Sequence, residues 1–202
     1  MRRIQLDEMA AIFPGADQQV LGTLHRGTVF CQPRCAFTTA PAPAACLVPM
    51  GYICRVTVHH TGFPEAFWKS SQRETATHLE EIRRFHAAPV PQGRGWADIG
   101  YHFAIDRVGR IWQLRPVQFQ GAHVKNHNDH NAGVVLLGNF DIQKPPPCQL
   151  DGLVKFLTGF CRIYHLPPRA IFTHRELADQ PTSCPGQALQ QWFNANGRRR
   201  LA

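Results

Sequence analysis

The stretch that most restricts the fold is residues 132–140, Ala-Gly-Val-Val-Leu-Leu-Gly-Asn-Phe. It is almost continuously apolar and no longer than a strand. A strand with one face in water alternates apolar and polar side chains, whereas a strand apolar on both sides has to be covered on both sides. Residues 132–140 are therefore expected in the middle of a sheet, with helices on each face.

The flanking sequence supplies those layers. Residues 53–60 (ICRVTVHH) read as a strand by their β-branched content, and 74–88 as a helix on which Leu79, Ile82, Arg83 and His86 follow helical spacing. YHFAID and RIWQLRP flank Arg107-Val108-Gly109 as a β-hairpin. Residues 149–166 predict a helix stopped by Pro167 and Pro168, 170–177 (AIFTHREL) a final strand, and 186–196 a last helix. The expected fold class is α/β (α+β), a central mixed β-sheet flanked by helices.

A chain of 202 residues suits one domain with extensions. Residues 1–50 read as an N-terminal extension with an Ala/Pro-rich connector (TTAPAPAAC, 38–46), 51–197 as the domain, and 198–202 as a basic, solvated tail. Cys31 and Cys35 have only His25 and Cys46 nearby as further zinc ligands, so a disulfide or two small buried residues is the expectation there. With seven cysteines, at least one is unpaired or ligates a metal.

Composition narrows the class. No apolar run approaches the roughly 18 residues of a membrane helix. The formal charge of +8 favours polyanionic surroundings, but the arginines are dispersed rather than interleaved with aromatics on one element, so no nucleic-acid partner is expected. Met1-Arg2-Arg3 is followed by Asp7 and Glu8 rather than by an apolar stretch, unlike an export signal.

Eleven histidines make any single one uninformative; position relative to strand ends matters more. His59 and His60 are adjacent, so on a strand they point to opposite faces. His59 closes the first core strand, His174 the last, and Cys184 follows ten residues later between Pro181 and Pro185. Two imidazoles and a thiolate meeting at neighbouring strand ends would form a zinc site with its fourth position open to water. Two partly buried histidines and an inert cysteine fit the same spacing.

Four blocks, VTVHHTG, GWADIGYHFAIDRVGRIWQLRP, GAHVKNHNDHNAGVVLLGNFD and THRELADQPTSCPG, occur in that order between about residue 52 and residue 195. Together they resemble the zinc amidase family that includes peptidoglycan recognition proteins and T7-type phage lysozyme, the N-acetylmuramoyl-L-alanine amidases. The resemblance implies one catalytic Zn2+ held by His59, His174 and Cys184, an active-site tyrosine at Tyr101, and at Thr182 the polar residue near the metal's water. It implies hydrolysis of the amide between muramic acid and L-alanine, with peptidoglycan or a muropeptide as partner. Non-catalytic muropeptide recognition is the alternative; loss of the cysteine usually accompanies that role, and here Cys184 is present.

His123, His60 and Trp96 are candidates for the substrate-binding surface, His60 only if it does not face away. The interval from His174 to Cys184 is two residues longer than in many cysteine-containing members, which bears on where Thr182 sits. The reading further implies a monomer working in the cell envelope, periplasm or outside the cell, unless it recycles wall fragments in the cytosol.

Overall fold

The computed structural model describes residues 31–201; expectations that rest on residues 1–30 and 202, including those on His25 and the Arg2-Arg3 pair, lie outside them. Six strands form one mixed sheet: β1 (Cys31–Gln32), β2 (Arg55–His60), β3 (Phe103–Ile105), β4 (Ile111–Gln113), β5 (Asn131–Leu136) and β6 (Ile171–Thr173). Their spatial order is β1-β4-β3-β5-β2-β6, with only β3 and β4 antiparallel. β5 lies between β3 and β2 and is buried along its whole length, as its unbroken apolar run requires.

Alternation divides the side chains between two cores. Val56, Val58, Ala132, Val134, Leu136, Phe103 and Ile105 face helix α2 (Pro147–Ile163), whose Leu153, Phe156, Leu157 and Phe160 cover them. Ala104, Trp112, Leu114 and Val135 face the other way, toward Leu79 and Ile82 of helix α1 (Gln72–Ala87).

Helix α1 begins two residues before the sequence reading, because Ser71 and Glu74 form a capping box: Ser71 Oγ accepts from the Glu74 N–H at 3.2 Å, and Glu74 Oε2 accepts from the Ser71 N–H at 3.3 Å. Arg83 does not share the buried face with Leu79, Ile82 and His86. It pairs instead with Glu80 at 2.7 Å, and both side chains are largely covered (17% and 19% exposed) rather than solvated. Helix α2 starts with Pro147 in its first turn and ends before His165, which adopts a left-handed φ of 52°. In the β3–β4 hairpin, Asp106 Oδ1 accepts from the N–H groups of Val108 and Arg110, and Gly109 takes the positive φ (83°) that the turn requires.

Two expectations need correction. The last strand stops at Thr173, because a Thr173/Glu176 capping box starts the short helix α3 (His174–Leu177) at that point. Cys31 and Cys35 form no disulfide: Cys31 is buried in β1 beside β4, and Cys35 is exposed. The C-terminal part runs through α4 (Gln187–Trp192), a π-helical turn (Phe193–Gly197) and α5 (Arg198–Leu201), where Arg200 reaches Asp151 at 2.8 Å. No helix among the described residues is long and apolar enough to cross a membrane.

Candidate metal centre

On β2, Thr57 and His59 share the sheet face opposite Val56, Val58 and His60. On that face β5 presents Asn131, Gly133 and Val135, with Val135 opposite His59, and Thr57 Oγ1 donates to Asn131 Oδ1 at 2.9 Å. In the parallel β2–β6 pair, Val58 stands opposite Thr173, which brings His174, the next residue, level with His59; their ring centres are 4.6 Å apart. Cys184 returns on the following loop with Sγ 3.6 Å from His59 Nδ1. The donor atoms of His59, His174 and Cys184 all lie within 4.8 Å of one another.

The hydrogen-bond network determines which nitrogen of His59 is available. The Asn131 carbonyl can only accept, so His123 Nε2–H donates to it at 3.1 Å, and His123 Nδ1 is left as an acceptor. His59 Nε2–H therefore donates to His123 Nδ1 at 3.0 Å, which leaves the His59 Nδ1 lone pair pointing toward Cys184. Tetrahedral zinc with ordinary Zn–N and Zn–S bonds spaces its nitrogen and sulfur ligands by about 3.5 Å. The observed 3.6 Å between His59 Nδ1 and Cys184 Sγ matches that spacing.

Electrostatics agree. Burial, reinforced by His123 and His174, holds His59 well below the ordinary histidine range, so it is a neutral ligand. Burial also lowers His174 and pushes the Cys184 thiol up to about 12, against a small opposing effect of the His60 N–H, which lies 3.4 Å from Sγ. A thiolate here needs a cation beside it, and the two imidazoles and the sulfur are soft enough to suit zinc.

Tyr101 stands on the segment before β3 with its ring 5.2 Å from that of His59. Burial, with the nearby Cys184 second, raises its phenol, so the hydroxyl keeps its proton. Two groups hold this segment. His86 Nδ1 accepts from the Gly100 N–H at 3.1 Å, and the buried Arg115 donates to the Ile99 and Asp98 carbonyls at 2.8 and 3.0 Å. Thr182 Oγ1 accepts from the Cys184 N–H at 3.2 Å, which ties Thr182 to the ligand that follows it. The same loop reaches sideways: Asp179 accepts from Asn126 Nδ2 at 3.1 Å and contacts His127 Nε2 at 2.6 Å.

The three remaining sequence candidates differ in position. His60 is buried on the opposite face, where Nδ1 accepts from the Phe140 N–H at 3.1 Å, so strand alternation removes its ring from the cleft. His123 is buried behind His59 rather than lining a groove. A Cβ on Gly121 would lie 2.4 Å, and one on Gly133 2.7 Å, from His123 Cδ2, so the ring occupies a slot that only two glycines leave open. Trp96 is half-buried beside His86, ring centres 4.7 Å apart, with the Arg94 guanidinium 6.0 Å from its ring centre. Sequence reasoning missed Asn131, whose carbonyl starts the hydrogen-bond chain, and His86; the glycines flanking His123 were the available signal for the slot.

Comparison with known proteins agrees with this geometry. Residues 50–187 match the family model described as N-acetylmuramoyl-L-alanine amidase. The chain is 31% identical over 182 residues to the N-acetylmuramoyl-L-alanine amidase of Sus scrofa, covering 84% of this chain but only 29% of that protein. It is 34% identical over 119 residues to the endolysin of Enterobacteria phage K11, 56% of this chain and 73% of the endolysin. Among solved structures, the ectodomain complex of peptidoglycan recognition proteins LCa and LCx with bound tracheal cytotoxin superposes with a TM-score of 0.72 at 25% identity, covering 83% of this chain and 96% of that one. The donor triad at the strand ends, the sheet that carries it and the span of the match lead to one conclusion: the chain belongs to the N-acetylmuramoyl-L-alanine amidase (Amidase_2) family.

Proposed function

We propose that this chain is a zinc-dependent hydrolase that cleaves the amide joining N-acetylmuramic acid to L-alanine in peptidoglycan or its fragments, at or outside the cell envelope. The observation that carries the reading is the preassembled His59, His174 and Cys184 triad, with the His59 Nδ1 lone pair freed by the His123 relay. Zinc, when bound there, supplies Lewis acidity and brings a water into the nucleophilic range near neutral pH.

The chain's own groups do the rest. His123 orients His59 and fixes its tautomer through a hydrogen bond ending on the Asn131 carbonyl. Tyr101, protonated and placed beside His59, donates toward the oxygen on which negative charge grows as the amide carbonyl becomes tetrahedral. Thr182, fixed by the Cys184 N–H, adds a polar contact at the mouth of the site.

Zinc content and release of new L-alanine amino termini from purified peptidoglycan, measured on wild type and Cys184→Ala, test the proposal. Near-stoichiometric zinc with amino termini that vanish in the variant is the expected result. Zinc retention without cleavage would convert the reading to muropeptide recognition, and failure to bind zinc would refute the site.

A further inference from the structure

The segment between β2 and α1 leaves the strand directly after His59 and His60, and it places aromatic rings at the surface that no core uses. Phe63 is 41% and Trp68 68% exposed, whereas Phe67 between them is buried. With His78 of α1, these rings wall a concave pocket of about 350 Å3, with Glu65 and Lys69 also lining it. His78 lies against Phe67 (ring centres 4.4 Å) and edge-on to Phe63 (5.3 Å), so its ring backs the pocket wall.

This loop is held rather than loose. Thr61 Oγ1 donates to the Gly138 carbonyl at 3.1 Å, Asn139 Nδ2 donates to the Phe63 carbonyl at 2.7 Å, and Arg110 Nη2 donates to the Ser70 carbonyl. The buried Gln143 side chain binds both backbone groups of Phe67, at 2.7 and 3.1 Å. Arg107 sits over the Trp68 ring at 4.8 Å, which orients the indole from one side. A backbone held in this way meets part of the ordering cost of binding before any ligand arrives.

A pyranose matches this lining: its C–H face stacks on aromatic rings, while its equatorial hydroxyls meet the carboxylate of Glu65 and the ammonium of Lys69, which also line the pocket. We propose that the Phe63–Trp68 pocket, on the segment that follows β2 and lined by none of the metal ligands, is a subsite for an N-acetylhexosamine ring of the glycan strand. The inference takes its ligand class from the amidase reading, so its test uses a glycan with no scissile amide.

The experiment is isothermal titration of chitotetraose, a β-1,4-linked N-acetylglucosamine tetramer, into wild type, Trp68→Ala, Phe63→Ala and Cys184→Ala, each checked for an unchanged circular dichroism spectrum. Saturable binding by wild type and by Cys184→Ala, weakened about tenfold or more in the two aromatic variants, is expected. Because Trp68 and Phe63 are exposed, their replacement leaves the fold intact. No saturable binding by wild type, or equal affinity in Trp68→Ala, overturns the subsite without touching the amidase reading. Binding lost in Cys184→Ala but kept in Trp68→Ala overturns it as well, by placing the glycan on the metal centre.

Discussion

Replacing His123 with alanine tests the relay behind the metal ligands. The change removes the acceptor of the His59 Nε2–H, a bond of 3.0 Å between two buried rings, and leaves the Asn131 carbonyl without its 3.1 Å donor. A buried donor without a partner costs about 1–3 kcal/mol. An outer-shell partner of a metal-bound histidine is worth roughly 10–100-fold in metal affinity. The metal-free His123→Ala protein should therefore lose about 2 kcal/mol, or roughly 4–8 °C in Tm for a chain of this size, and its zinc Kd should rise about 30-fold. His123→Gln can still accept with Oε1 and donate with Nε2, so it should recover a large part of both losses. Competition with a chromophoric chelator gives the Kd, and thermal unfolding of the metal-free proteins gives the stability. A zinc Kd for His123→Ala within about threefold of wild type would refute the orienting role, whatever happened to Tm.

Four further outcomes follow from the geometry. Tyr101→Phe should keep its zinc and its apparent KM while kcat falls roughly 10²–10³-fold, since a donor to developing charge is removed; an unchanged kcat in a steady-state assay on a soluble muramyl dipeptide would exclude that role. Gly133→Ala should weaken zinc binding, because its Cβ would press within 2.7 Å of His123 Cδ2 and turn the ring out of line; chelator competition would show it. Glu80 is depressed to about 2, chiefly by the Arg83 guanidinium. Its contribution is present above the unfolded carboxylate value near 4.3 and fades as pH falls toward about 2, so Glu80→Gln should destabilise by roughly 1 kcal/mol at pH 7 and by almost nothing at pH 2 in urea titrations. Asp179→Ala should leave Tm unchanged but accelerate amide exchange in residues 178–183, because it frees the long loop from Asn126 and His127; unaltered exchange would show that the contact does not restrain the loop.

The local boundaries raised the ligand triad as one of two readings of the same spacing, and the resemblance of the four ordered blocks selected it. β-branched residues lead into His59, an apolar strand runs up to His174, and prolines flank Cys184. The helices were legible from amphipathic spacing, a local property, but α2 ends at Ile163, with His165 left-handed, rather than at the Pro167-Pro168 stop. The roles of His60 and His123 were less legible. Both looked like candidates for the cleft surface, yet one ring lies on the far face against Phe140 and the other lies behind His59.

Local pattern determined the element types, the central place of β5, and the pairing of opposite-facing histidines on β2, because periodicity and propensity act over a few residues. The three-dimensional structure alone decided which His59 nitrogen is free, since that depends on a carbonyl at Asn131 and a ring at His123 that are distant in the chain. It also decided that Gly121 and Gly133 leave a slot for that ring, and that His174 begins a helix instead of extending β6. Hydrogen-bond partners and close approaches of this kind arise only when strands from separate parts of the chain come into register, and no local spacing encodes them.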